Sequence, residues 1–487
     1  EMPINHSGQT PRIQTIFGLV GIIKFFAGAY ALVITARECV GSYGGYPMFK
    51  VLDMRFLSCI SALQKLTLQE KKVEDEFTKL LRIAEKTPGL YFSYDVDLTL
   101  NAQRTYNPNI QFNMLPLWKQ ADIRFLWNKC LIQELIQCKT IQTVLEKTTL
   151  NVSLIARRCM HRTGTRMWRR GADLDGNVAN FVESEQILEA NGYVASYVQV
   201  RGSIPLLWEQ IVDLSYKPGF KLINLDDTPT AVERHFSDLK KRYGSVIAID
   251  LINQRGGEGL LSEAYSSAMQ NLVSDEIKYV QFDFHQTCGH VHFDRLSLLY
   301  EQIVDDLKEQ RYFLLTTTGE KVEEQTGVIR TNCVDCLDRT NVTQSMLGRK
   351  SLETQLHQIE ILQRSQNLSH NKHFYNLFKT LWANHGDEIS IQYSGTPALK
   401  GDFVRYGQRS IQGMLADGHH ALARYYFNNF CDGVKQDAID LLQGHYTMSR
   451  EIQSPFQARR LKALASFPLI SVLIVAGIVL SSMSLRQ

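Results

Sequence analysis

The sequence predicts a mixed α/β protein with a β-rich N-terminal domain, an α/β second domain and a C-terminal transmembrane helix. Three observations carry this reading. Strand-like and helix-like stretches alternate through residues 245–307 and lead into a loop bearing a cysteine and an arginine. Residues 13–35 hold β-branched runs rather than helical periodicity. Phe467 to Leu485 is apolar apart from small hydroxyls and Pro468, and its 19 residues are long enough to cross a bilayer.

Taken in order, Ile13 to Thr35 is apolar but interrupted by Lys24 and broken by Gly18, Gly21 and Gly28. Ile22-Ile23 and Val33-Ile34-Thr35 suit buried strands joined by a turn rather than a membrane span. Gln69 to Lys86 carries Val73, Phe77, Leu80, Leu81 and Ala84 at helical spacing and ends at Pro88-Gly89. Phe92, Tyr94, Val96, Leu98 and Leu100 alternate with polar residues, predicting a half-buried strand. Ser245 to Leu251 and Ile277 to Phe284 read as core strands flanking a helix from Leu260 to Val273. Leu296, Leu299, Tyr300, Ile303, Val304 and Leu307 form the apolar face of a further helix. Gly327-Val328-Ile329 is a short apolar strand entering the loop. Beyond the loop, Thr340 or Asn341 can cap a helix whose apolar positions are Val342, Met346 and Leu347.

The loop itself, Arg330-Thr-Asn-Cys-Val-Asp-Cys-Leu-Asp-Arg-Thr-Asn341, sets Cys333 six residues before Arg339, and Thr340 follows. A thiolate that attacks phosphorus needs a cradle of inward-pointing N–H groups, which the backbone of Val334, Cys336, Leu337, Asp338, Thr340 and Asn341 can furnish. A guanidinium at the far end grips two phosphoryl oxygens at once, as an ammonium cannot. The same positive potential favours thiolate over thiol, and the thiolate is the nucleophile. Asp335 and Asp338 are both candidates for the general acid, with Asp335 preferred. Either can instead fix the loop backbone. Cys336 reads as a loop-shaping thiol, since no arginine lies at its spacing, and it is a partner for a reversible disulfide with Cys333 under oxidation.

This loop resembles the signature of the Sac (suppressor of actin) family of phosphoinositide phosphatases. Arg169-Arg-Gly-Ala-Asp173, Gly176-Asn-Val-Ala-Asn-Phe-Val-Glu183, Gln199-Val-Arg-Gly-Ser-Ile-Pro205 and Phe282-Asp-Phe-His285 resemble the same family. The likeness runs from about Arg12 to about Arg450 and looks nearest to membrane-anchored members, the plant ones in particular. It implies a two-lobed fold: a Sac N-terminal domain over 1–150, a catalytic domain over 151–452, a basic juxtamembrane linker over 453–466 and the transmembrane segment over 467–485. It also implies hydrolysis of phosphatidylinositol phosphates, phosphatidylinositol 4-phosphate above all, on an endoplasmic-reticulum or Golgi membrane. Two departures accompany it. The chain opens near Arg12-Ile-Gln-Thr-Ile-Phe, so the N-terminal domain is expected to be incomplete at its start. One hydrophobic segment stands where anchored relatives carry a hairpin of two, leaving single- and double-pass anchoring both open.

Composition fits this reading. The net charge of +3 over 487 residues gives no global field for nucleic acid. Nine scattered cysteines lack the framework of a secreted scaffold, which points to a reducing compartment. Arg459, Arg460 and Lys462 before the apolar segment orient the body toward the cytoplasm. So do the sequons at Asn5, Asn151, Asn341 and Asn367, since a glycan on Asn341 would obstruct the loop. The crowd of Arg157, Arg158, Arg162, Arg166, Arg169 and Arg170 suits either an anionic bilayer surface or internal salt bridges. Cys333 and Cys336 with His285, Cys288, His290 and His292 raise a zinc site, but one C-x2-C pair lacks its match and the histidines alternate along an apparent strand end. No metal and no cofactor is expected. The same loop chemistry serves a protein tyrosine or dual-specificity phosphatase. An inactive lipid-binding scaffold is disfavoured because Cys333, Arg339 and Thr340 are all in place.

Overall fold

The computed structural model describes residues 15–59, 66–106, 117–131, 151–215, 218–223, 226–289, 292–363, 365–406 and 410–445. These fall into two compact units. One is drawn from Glu1–Asp95, Asn128–Leu145 and Leu441–Gln453, the other from Val96–Trp127, Glu146–Asp440 and Ser454–Gln487. The division differs from the one at residue 150 expected from the sequence, because residues 96–127 belong with the second unit. There the Arg157 guanidinium donates to the Leu98 and Leu100 carbonyls, and Glu185 accepts from the Ala102 N–H. The apolar stretch 467–485 and the linker 453–466 lie outside the described residues; among those described, no helix is long and apolar enough to cross a membrane.

In the first unit, β1 (Gly18–Lys24), β2 (Ala29–Tyr43) and β3 (Tyr46–Ser58) form an antiparallel meander, closed by the short β4 (Tyr91–Phe92). Residues 18–35 are thus strands, as their β-branched runs imply. Helix α1 (Leu68–Ala84) buries Phe77, Leu80, Leu81 and Ala84 and starts at a capping box in which Thr67 and Glu70 exchange hydrogen bonds. The strand expected over 92–100 is a correction: only Tyr91–Phe92 pairs, and turns follow. Ser93 Oγ accepts from the Asp95 N–H, and Asp97 Oδ1 accepts from the Thr99 N–H and hydroxyl. Such local side-chain bonds satisfy the backbone in place of a ladder.

The second unit is built on an eight-stranded mixed sheet. Its main path contains β7 (Tyr193–Arg201), β10 (Ser245–Asp250), β11 (Ile277–Gln281), β12 (Phe313–Leu315), β13 (Lys321–Glu323) and β14 (Gly327–Asn332), in the order β11-β10-β14-β7-β12-β13. Strands β5 (Asn151–Arg158) and β6 (Val182–Ala190) extend it beside β7. The three central neighbours β10, β14 and β7 run parallel. Alternation along β10 sends Val246 and Ala248 into one core, with helices α2 (Thr228–Tyr243) and α3 (Gly259–Gln270). It sends Ile247 and Ile249 into the other, with α4 (Leu296–Gln310) and α5 (Asp338–Gln358). The α/β expectation holds, and the loop after β14 opens at the carboxyl edge of the parallel strands, where such sheets place ligands.

Candidate active site

β14 is buried along its whole length, and its polar residues fix the approach to the loop. Arg330 donates to Asn332 Oδ1, the Ser203 carbonyl and His235 Nε2, and Asn332 Nδ2 donates to Asp250 Oδ1 at 2.6 Å. Burial pushes Asp250 up to about 6, while the N–H of Ile252 donates to the same Oδ1 and the hydroxyl of Tyr279 to Oδ2.

The loop then closes on its own sulfurs. Cys333 Sγ accepts from the Cys336 N–H at 3.0 Å and from the Thr340 hydroxyl at 3.5 Å. Cys336 sits at φ 53°, a left-handed turn that a cysteine adopts only under constraint. Its own sulfur donates to the Gly202 carbonyl at 2.8 Å and to the Cys333 carbonyl at 3.1 Å. The two thiols are driven apart in acidity. Hydrogen bonding with Cys336, then Arg339 and Thr340, brings Cys333 down to about 6 against the effect of burial. Burial pushes Cys336 well up, so it remains a thiol and a donor. Among the described residues, the N–H groups of Val334, Asp335 and Leu337 take no hydrogen-bond partner. They adjoin the N-terminus of α5, whose first turn brings further free N–H groups and the positive end of the helix dipole. The helix starts at Asp338 with Leu337 as its flanking residue and no side-chain cap, so the expected cap at Thr340 or Asn341 is corrected. A capping side chain would occupy the N–H groups that the loop keeps open.

Arg339 is oriented by Glu258, which precedes α3. Nη1 and Nη2 lie 2.9 and 2.8 Å from its two oxygens, and Nη1 also donates to the Leu251 carbonyl at 3.0 Å. Burial opposes its charge, but the Cys333 thiolate and Glu258 hold it above the ordinary value. Asp335 pairs with Arg166 and Arg170, each at 2.7 Å. Although burial works against the carboxylate, these two guanidinium groups hold Asp335 far below the usual range. The pairing with two guanidinium groups favours the carboxylate form of Asp335, which weighs against it and toward Asp338 as general acid. Burial raises Asp338, whose Oδ1 accepts from the Leu399 N–H at 2.7 Å.

The side chains of two loop residues are structural. Asn341 is buried, donating to the Trp382 carbonyl and accepting from Arg201, so its side chain anchors α5 rather than facing a substrate. Leu337 packs against Val182, Ile389 and Tyr393. Val334 lends its carbonyl to Arg170 at 3.3 Å. The arginine crowd resolves into internal contacts: Arg157 on Glu183 and Glu185, Arg162 on the Arg170 and Gly171 carbonyls, and Arg169 on Asp440. His285 and Cys288 lie on a short helix, Phe284–Cys288, and not on a strand end, because Asp283 caps it through the Gln286 N–H. His290 lies outside the described residues, and among those described no cluster is arranged to hold a metal.

Three contributors escaped the sequence reading. Glu258 and Asn253 lie in a Gly-rich turn 81 and 86 residues before Arg339. Arg201 is wholly buried beneath the loop, bonded only to the amide oxygens of Gln344 and Asn341, with Nη1 unpartnered among the described residues. Burial pushes it down to about 10, and the thiols of Cys336 and Cys333 are the groups that hold its charge. A fully buried arginine beside a C-x5-R loop is a signal only once the fold places it there.

Strand, loop and helix N-terminus define an α/β protein with a loop suited in geometry to a phosphate-like anion at the carboxyl edge of a parallel sheet. Comparison with known proteins gives the family. The SacI homology domain matches residues 17–289. Phosphoinositide phosphatase SAC7 of Arabidopsis thaliana is 52% identical over 503 residues, covering 100% of this chain and 84% of its own. Phosphoinositide phosphatase SAC8 of the same plant is 50% identical, covering 99% and 84%. Phosphatidylinositol-3-phosphatase SAC1 of Saccharomyces cerevisiae is 36% identical, covering 94% and 77%. The chain belongs to the Sac family, with higher identity to these plant members than to the yeast one.

Proposed function

We propose that this protein is a phosphoinositide phosphatase that removes a phosphate monoester from phosphatidylinositol phosphates, with phosphatidylinositol 4-phosphate as the preferred substrate, through a phosphocysteine. The observation that carries the reading is the Cys333 sulfur, brought down to about 6 and held between the Cys336 N–H and the Thr340 hydroxyl at the N-terminus of α5. The thiolate attacks phosphorus in line, an S–P bond forms, and the P–O bond to inositol breaks. Arg339 and the loop N–H groups stabilise the equatorial oxygens as charge moves onto them. Asp338 supplies the proton to the leaving inositol oxygen; water then attacks the phosphocysteine, releasing phosphate and restoring the thiolate. Asp335 fixes the loop through Arg166 and Arg170. The membrane anchor over 467–485, with the catalytic unit on the cytoplasmic face of an endoplasmic-reticulum or Golgi membrane, belongs to the same reading. Phosphate release from phosphatidylinositol 4-phosphate vesicles, set against a phosphotyrosine peptide, tests it. Cys333→Ser should abolish release while leaving vesicle binding intact, and an unchanged rate in that variant overturns the mechanism.

A further inference from the structure

Beyond α6 (Lys372–Ser394), helix α7 (Ile411–Tyr426) turns a large apolar stripe outward. Its inward positions are small or charged. Gly413 lies so close to Asp402 that a side chain there would collide with the carboxylate. Asp417 accepts from the Lys400 N–H at 3.0 Å, and buried Arg424 donates to Thr396 Oγ1, Ser390 Oγ and the Pro397 carbonyl. Four of its outward positions are large and apolar: Ile411, Met414, Leu415 and Leu422 are each 47–73% exposed, with Gln412 and His419 exposed to one side of them. The four recur at helical spacing and form one stripe, where a solvated helix carries its polar face. A second apolar element adjoins the end of this helix. Tyr425 donates to the Leu214 carbonyl at 2.7 Å, tying to it the turn after β8 (Trp208–Gln210), where Ile211 and Leu214 are exposed and Leu214 is held at φ 67°.

Both elements are fastened to the catalytic loop. Asp338 accepts from Leu399, and the next residue, Lys400, donates to Asp417 of α7. On the other side, Asp335 pairs with Arg170, which donates to Gln210, immediately before Ile211. Short hydrogen-bonded paths therefore join both apolar elements to the residues that would receive the phosphate.

We propose that the outer face of α7, with the Ile211–Leu214 turn, is an interfacial element that seats in the headgroup–acyl boundary of a phospholipid bilayer and presents the loop to lipid headgroups in the membrane plane. The proposal rests on the phosphoinositide reading, since a headgroup in a bilayer is reached only by a site whose rim tolerates the acyl boundary. An exposed stripe of this kind otherwise invites association. Shallow insertion raises the effective concentration of substrate at the loop without a new contact to the phosphate.

The test uses the full chain, phosphatidylcholine–phosphatidylserine vesicles doped with phosphatidylinositol 4-phosphate, and the soluble dibutanoyl form of the same lipid. Replacing Met414→Glu and Leu415→Glu together should lower vesicle hydrolysis about tenfold or more while soluble hydrolysis stays within about twofold. Separately, Leu415→Trp should add fluorescence that brominated phosphatidylcholine quenches. An unchanged vesicle rate, an equal loss on both substrates, or absence of quenching overturns the proposal, as does a wild-type dimer that the double substitution splits. Wild-type protein that cleaves neither lipid rejects the phosphatase reading, and the quenching still decides the surface.

Discussion

Glu258 and Arg339 meet edge to edge, carboxylate oxygens 2.9 and 2.8 Å from Nη1 and Nη2. A guanidinium has five N–H donors in a plane, and this pairing with the Leu251 carbonyl uses three of them. Among the described residues, the edge formed by Nε and the second Nη2 hydrogen takes no partner. That edge can hold two phosphoryl oxygens while Glu258 keeps the plane from swinging.

Glu258→Gln should therefore leave the fold intact yet lower kcat by about ten- to a hundredfold, the usual effect of letting a positioning group drift. Steady-state kinetics on soluble phosphoinositide with a circular dichroism control checks this. A kcat equal to wild type would mean that Glu258 serves packing alone.

The turn that carries Cys333 and Arg339 and the α/β core were legible in the sequence because both rest on local chemistry: the spacing from Cys333 to Arg339, and alternation along 245–251. Glu258, Asn253 and Arg201 were not, since each acts through a contact more than 80 residues away in sequence. The arginine crowd at 157–170 left a bilayer surface and internal salt bridges both open in the sequence, and the fold decides for the second: β5 and the turns after it bring those side chains onto Glu183, Glu185, Asp335 and Asp440. The strand expected at 92–100 failed because Ser93 and Asp97 bond the backbone locally.

The charge of Arg201 should be visible in the titration of Cys333. Iodoacetamide should modify Cys333 with a rate that rises as pH climbs through about 6, the pH at which its thiol ionises. Arg201→Met removes a buried cation and should move that midpoint upward by about one unit, whereas Arg201→Lys should keep it near wild type. A midpoint indifferent to both substitutions would leave Arg201 with only its bonds to Gln344 and Asn341.

Asp335 is expected to matter for stability as well as activity. Arg170 is almost wholly buried, and Asp335→Asn would strand its charge. The cost is about 2–4 kcal/mol, at the lower end for broken buried pairs because Asp335 is partly exposed. The sign of the pH dependence follows from the direction of the shift. The folded-state acidity of Asp335 is depressed, so its contribution is fully present above the ordinary carboxylate value near 4. It is lost as pH falls further, through the folded value. Denaturant melts of wild type and variant should hence differ by a constant amount from about pH 5 upward and converge in stronger acid.

The two loop cysteines sit three residues apart, yet the structure gives them opposite duties, and substitution should separate these. Cys336 is a buried donor to the Gly202 and Cys333 carbonyls, and burial keeps it protonated. Cys336→Ser retains a donor of similar shape, so hydrolysis should persist within about tenfold, at a stability loss of about 1–2 kcal/mol for the poorer fit of the shorter bonds. Cys333→Ser retains a donor as well, but its hydroxyl does not ionise near pH 6, and hydrolysis should vanish. Mass spectrometry after brief alkylation at pH 7 should find, of these two, Cys333 modified and Cys336 intact. The reverse pattern would transfer the nucleophile to the cysteine whose spacing offers no arginine.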